Sequence, residues 1–139
     1  MTLSARKDAL VSSVLIEGYT SDEILALSNE ELNGIILRDE PLVFRAGSAN
    51  MLGKFHVEER TLVMELAHID GGGEGALPAL ASLARRYAIR EELDAIEWRV
   101  HAVNCAKPNM KLRRLLERRG FQVRAIAEVG ECYFLRSPV

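Results

Sequence analysis

Cysteine is scarce in this chain: two in 139 residues, Cys105 and Cys132. Their spacing suits neither a disulfide framework nor a thiolate metal clamp, so no metal site is expected and a reducing cytosol is the expected compartment. Long apolar runs are absent too. None approaches the roughly 20 residues that cross a bilayer, which argues against a membrane span. The stretch from Met1 to Val11 mixes charges with apolar residues and lacks the core of a signal peptide. Charge of one sign is also missing. A net of −2 is far from the basic excess of a nucleic-acid-binding domain. What remains is ordinary globular composition, 48% hydrophobic and 27% charged, at a length suited to one domain over residues 1–139.

The small net charge hides an asymmetry. Residues 1–75 hold 6 Lys/Arg against 13 Asp/Glu, whereas residues 76–139 hold 12 against 7. A basic half beside an acidic half suits an anionic ligand in one and a cationic substrate near the other. Solvated helix faces that tolerate either sign account for the same numbers equally well.

Residues 1–40 read as a short helical region. Leu10, Val11, Val14 and Leu15 fall on one side of a helix over Ser4–Glu17. Thr20-Ser21-Asp22-Glu23 reads as a helix start, and Ser28 followed by Glu31 forms a capping box ahead of Leu32, Ile35 and Ile36. Residues 41–137 then read as a mixed α/β core. Leu42–Phe44, Met51–Val57 and Leu62–Ile69 are expected as three antiparallel strands in meander order, with a polar turn at Glu58-Glu59-Arg60. The third is apolar on both faces, as in a central strand covered on both sides. A helix follows Pro78, with Leu80, Leu83, Ala84 and Tyr87 as its buried stripe. Ile96, Trp98 and Val100 alternate with Glu97, Arg99 and His101, which predicts a strand. Asn109–Arg119 is a second helix, stopped by Gly120, and a hairpin turning at Gly130 closes the chain. A strand–helix–strand crossover inside a meander implies a mixed sheet with helices on both faces.

Between the central strand and its helix lies Gly71-Gly72-Gly73-Glu74-Gly75. Glycines ahead of a helix N-terminus let a phosphate approach unpaired backbone N–H groups. No Gly-Lys-Ser/Thr follows, so this is not a Walker loop. A flexible turn is the plainer account of the same glycines, and Asp70 and Glu74 would repel an anion.

The run Asn109-Met-Lys-Leu-Arg-Arg-Leu-Leu-Glu-Arg-Arg-Gly120-Phe121 resembles the late helix of the GNAT N-acetyltransferases. Leu52-Gly53-Lys54-Phe55, Ala67-His68-Ile69 and Gly73-Glu74-Gly75 are similar to that family's early strand, central strand end and pyrophosphate loop, in the same order. The resemblance spans about Pro41 to Arg136. It implies an acetyltransferase-like fold and transfer of acetyl from acetyl-CoA to an amine. It also implies that Leu66, Ala67, His68 and Ile69 lie along the pantetheine. Gly71, Gly72, Gly73, Glu74, Gly75 and Ala76 would face the diphosphate, and Asn109 would lie near the cofactor arm. Lys107, Lys111, Arg113 and Arg114 are candidates for attracting the phosphates, or else a solvated helix face. Dimerisation is common in such folds.

Two positions depart from the pattern. Asp70 stands where the family carries Arg or Gln, and Leu116 stands where it frequently has a tyrosine that serves as an acid. They motivate the alternative of a non-catalytic GNAT-like module that binds a protein partner or ligand.

An amine nucleophile must lose a proton. Glu65, on the central strand among apolar neighbours, is the leading base candidate, against the alternative of a carboxylate paired with arginine inside the sheet. His101, at the end of its strand, is the second, as base or relay. Tyr133 is a candidate replacement acid or a packing residue, and Trp98 reads as core.

Overall fold

The computed structural model describes residues 14–37, 40–46, 49–70, 76–101, 110–127 and 130–139. In chain order the elements are β1 (Val14–Ile16), β2 (Tyr19–Thr20), α1 (Ser21–Ala26), α2 (Asn29–Ile35), β3 (Leu42–Ala46), β4 (Ala49–Glu58), β5 (Thr61–Asp70), α3 (Ala76–Arg90), β6 (Ala95–Val100), α4 (Met110–Arg118), β7 (Gln122–Ile126) and β8 (Gly130–Pro138). The strands form one sheet in the order β2-β1-β3-β4-β5-β6-β8-β7. Only β5 and β6 pair in parallel; every other neighbouring pair is antiparallel. The mixed sheet, the meander β3-β4-β5 and the β5–α3–β6 crossover are as the sequence implied.

The N-terminal reading needs correction. Residues 4–13 of the expected Ser4–Glu17 helix lie outside the described residues, and Val14–Ile16 is a strand paired with β3. Glu17 and Gly18 take positive φ values of 50° and 87°, making the two-residue turn that brings β2 back against β1. Three apolar residues cannot signal strand or helix by period alone. The waiting edge of β3 decides for the strand.

The next two helices start as expected. Thr20 and Glu23 close one capping box, and Ser28 and Glu31 close another, each side chain bonding the other's backbone N–H. Glu59 and Arg60, at φ 48° and 61°, join β4 to β5 through the predicted polar turn. Gly120, at φ 94°, ends α4, and the Phe121 N–H reaches back to the Leu116 carbonyl at 3.0 Å.

Alternation along the strands sorts the sheet into two faces. One carries Phe55, Leu62, Met64, Leu66, Ile96, Trp98 and Val100, all buried. Against it pack Ile24 of α1, Leu32 of α2 and Leu80, Leu83, Ala84 and Tyr87 of α3. Arg90 binds α3 to the helices before it, donating to the carbonyls of Leu25 and Leu27. Leu112 and Leu116 of α4 join the same core, with Tyr133 and Phe121, whose ring meets Trp98 edge-on at 6.1 Å. The other face of β5, β6 and β8 is polar at its centre and holds the charged cluster described below. No described helix is long and apolar enough to cross a membrane.

Candidate functional site

The central feature is where β5 and β6 part. Their parallel ladder runs from Thr61 opposite Ala95 to Leu66 opposite Val100, and the His101 N–H closes it on the Leu66 carbonyl at 2.8 Å. Beyond that bond β5 continues to Asp70 with β4 as its one described partner. Between Leu52 and Asn50, β4 advances two residues while β5 advances three, from Ala67 to Asp70. The extra residue is a β-bulge, which bends the bulged strand and strengthens its twist. Thus the register between β4 and β5 slips in the same stretch where β5 runs on without β6. From Ala67 onward β5 presents backbone N–H and C=O groups that no described strand on the β6 side takes up. After Asp70, with five residues between, α3 begins at Ala76, with no acidic residue in its first turn and Pro78 within it. A helix of 15 residues carries a full N-terminal partial charge.

The polar face beside this gap holds a line of charges. Glu65 of β5 lies opposite Arg99 of β6, with Oε1 3.7 Å from the Arg99 Nη1. Arg99 also donates from Nε to Glu97 Oε2 at 2.8 Å, with its Nη2 2.6 Å from the same oxygen. Arg136 of β8 donates to the other Glu97 oxygen at 3.0 Å and to Thr61 Oγ1 at 3.1 Å. Thr61 and Glu97 are the buried polar residues among those described. Cys132, a buried free thiol, sits beside this cluster, and burial pushes its pKa above the ordinary thiol value.

Glu65 therefore takes the arrangement weighed against its role as base: a carboxylate paired with arginine inside the sheet. Its cross-strand neighbour on β4 is Lys54. His101 is half-buried and lies two residues beyond Arg99, on the same face by strand alternation. The fold thus brings Glu65, Arg99 and His101 to one side of the point where β5 and β6 separate.

Leu66 is fully buried in the core, and its carbonyl is engaged by His101. Ala67 is the first residue past that bond, and the backbone of Ala67, His68 and Ile69 continues β5. Gly71, Gly72, Gly73, Glu74, Gly75, Asn109, Cys105 and Lys107 lie outside the described residues, and Ala76 opens α3. Arg113 does not extend freely: it donates to the Tyr133 hydroxyl at 3.1 Å and stacks over that ring. The Tyr133 hydroxyl donates in turn to Glu117 at 3.1 Å, and Leu116 is fully buried. Lys111 and Arg114 are exposed on α4.

Arg99, Glu97 and Arg136 form the centre of the polar face, yet the sequence reading used the first two only to establish strand alternation. The signal was present in three charged or titratable residues, Glu97, Arg99 and His101, at a spacing of two. What it lacked was the register that sets Glu65 against Arg99.

No family model matches the chain, and no curated protein is similar to it. Among solved structures, Ard1 from Thermoplasma volcanium overlays with a TM-score of 0.39 at 16% identity, covering 87% of this chain and 80% of that one. An acetyltransferase of the GNAT family from Listeria monocytogenes gives 0.38 at 14% identity over 85% and 76%. The NatC complex bound to Gag peptide and CoA gives 0.38 at 18% identity over 70% of each chain. Overlays of this size decide neither the chemistry nor the substrate of this chain.

Proposed function

We propose that this chain binds acetyl-CoA where β5 and β6 diverge and transfers the acetyl group to an amine. The observation that carries the reading is the bulged end of β5. Its ladder to β6 stops at Leu66, four more strand residues follow, and the N-terminus of α3 lies just beyond. A strand end whose amides no described strand takes up on the β6 side suits a ligand arm that itself carries amides, and a helix N-terminus suits a diphosphate. In this reading the backbone of Ala67, His68 and Ile69 bonds the pantetheine. Gly71 to Ala76 face the diphosphate, and Asn109 lies near the arm. The acceptor nitrogen bonds to the acetyl carbon as the carbon–sulfur bond breaks. The amine proton leaves to a base and the departing thiolate takes up a proton. His101, at the mouth of the gap, serves as base or relay. Glu65 serves as the second candidate, or as the charge that orients the site together with Arg99.

A second reading is favoured by one specific observation: the residues nearest to an acid role are committed elsewhere. Leu116 is fully buried and carries no proton, and the Tyr133 hydroxyl is held between Arg113 and Glu117. With Asp70 at the strand end, these support a GNAT-like module that binds a ligand or partner without chemistry.

Calorimetric titration with acetyl-CoA, with desulfo-CoA as the unreactive control, tests the site. Micromolar binding of both supports it, and no binding at millimolar ligand overturns it. The variant Gly73→Glu sets a carboxylate in the phosphate path and should abolish that binding with the melting curve unchanged. Thiol release from acetyl-CoA in the presence of amines then separates the two readings. An enzyme loses turnover in His101→Ala or Glu65→Gln, whereas a module releases no thiol with any amine.

A further inference from the structure

The sheet ends at β7, which pairs with β8 on one side and with no described strand on the other. An edge strand offers a row of N–H and C=O groups to any extended segment that comes alongside. Proteins blunt such edges with proline, bulges, short length or a covering element. The opposite edge is blunted by length, since β2 has two residues. In contrast, β7 runs five residues without proline, in unbroken register from Gln122 opposite Phe134 to Ile126 opposite Gly130. Gln122, Val123, Arg124 and Ala125 are all exposed, Val123 by 44%.

The surroundings of this edge are basic. Residues 110–127 contain six Lys/Arg and the single carboxylate Glu117, against which the neighbouring strand β8 sets Glu131, opposite Ala125. Arg113 is occupied by Tyr133, and Arg124 stacks over the Phe134 ring at 4.7 Å. Arg114, Arg118 and Arg119 are exposed and have no ion pair among the described residues. Arg118 and Arg119 end α4 and stand at the entrance to β7, with only Gly120 and Phe121 between.

We propose that the β7 edge takes up an extended acidic segment of a partner protein as a ninth strand. Strand pairing supplies the main-chain bonds, and side-chain alternation supplies selectivity. Gln122 and Arg124 share the face of Phe134 and Cys132, whereas Val123 and Ala125 share the face of Tyr133. A segment that alternates carboxylates with small apolar residues sets its acids against Arg124 and its apolar side chains against Val123. The cations at the end of α4 favour the same partner. A second copy of this chain fits poorly. Antiparallel pairing of two β7 strands about Arg124 sets that guanidinium directly against its own copy, and like charges directly opposite are destabilising.

Amide NMR of the full chain tests this with two blocked probe peptides of equal charge. One is Thr-Glu-Val-Glu-Val-Glu-Thr. The other replaces each valine with proline and cannot extend a ladder. The first should shift and protect the amides of β7, weaken as salt is raised, and bind at least about tenfold more tightly than the second. The double variant Arg118→Glu/Arg124→Glu should lose about tenfold or more in affinity while keeping a cooperative melt, because both side chains are exposed and lose only the Phe134 stack and a favourable helix-end charge. Equal binding of the two peptides would reduce the surface to a charge patch and overturn the proposal. Shifts centred away from β7, no binding at millimolar peptide, or stronger binding of a single-stranded oligonucleotide to the same residues would overturn it as well. So would a dimer in solution that dissociates when Arg124 is replaced.

Discussion

Replacing Glu97 by alanine tests the charged cluster at the centre of the polar face. The Glu97 carboxylate is buried and accepts hydrogen bonds from Arg99 and Arg136. Without it the two arginines fare differently. The Arg136 side chain is 52% exposed and can turn to water, whereas that of Arg99 is 20% exposed and keeps only Glu65, at 3.7 Å. Removing one partner of a fully buried ion pair costs roughly 3–5 kcal/mol, and the partial exposure of Arg99 places this case near the lower end, about 3 kcal/mol. For a chain of this length that corresponds to a fall in melting temperature of roughly 10 °C. Replacing Glu65, Glu97 and Arg99 together with methionine removes the stranded charges as well, since Glu65 is itself largely buried against Arg99, so the triple variant should recover much of that loss. Urea denaturation and thermal melting of the parent, Glu97→Ala and the triple variant decide the matter. A Glu97→Ala protein within about 1 kcal/mol of the parent, or a triple variant weaker than the single one, would refute the reasoning.

Ser28→Ala breaks the capping box at the start of α2 and should cost about 1 kcal/mol in urea denaturation, while Ser28→Asn keeps most of the stability. Cys132 should react with a thiol reagent far more slowly in the folded protein than in urea, because burial both shields it and disfavours the thiolate. Its raised pKa makes a contribution to stability that is present below the ordinary thiol value and lost as pH rises through the folded value. A Cys132→Ala series should therefore show a flatter stability profile on the alkaline side. Tyr133→Phe removes a hydroxyl paired on both sides and should cost about 1 kcal/mol. With acetyl-CoA and a reactive amine it should leave turnover within about twofold, and a larger loss would return Tyr133 to an acid role.

Local signals in this sequence were legible where the chain satisfies itself within a few residues. The two capping boxes, the polar turn at Glu59 and Arg60 and the stop at Gly120 each depend on neighbours at most five residues apart. Strand β5 was legible because Leu62, Val63, Met64 and Leu66 are buried from both sides of the sheet. The misses are non-local. Val14–Ile16 becomes a strand through β3, some 28 to 32 residues away by register. The bulge between Ala67 and Asp70 leaves no mark in composition, because it is a mismatch of count between two strands. The Glu65–Arg99 pair depends in the same way on a parallel register across 34 residues.

The charge asymmetry takes on meaning only through the sheet order. Strands β1 to β5 belong to the acidic half of the sequence, and β6, β7 and β8 belong to the basic half. The order β2-β1-β3-β4-β5-β6-β8-β7 never interleaves the two groups. For the strands, the division near Gly75 in the sequence is therefore a division in space at the seam between β5 and β6, while α3 of the basic half packs back onto α1 and β3 of the acidic half. The candidate site opens at that seam. An anion arriving there has the basic half on one side, and a cationic amine has the acidic half on the other. A solvated-surface account of the charges does not require the boundary to coincide with the one place where the sheet parts. High salt should accordingly weaken acetyl-CoA association more than its dissociation, since steering acts on the approach. Equal association rates at low and high salt would leave the segregation without a role at the site.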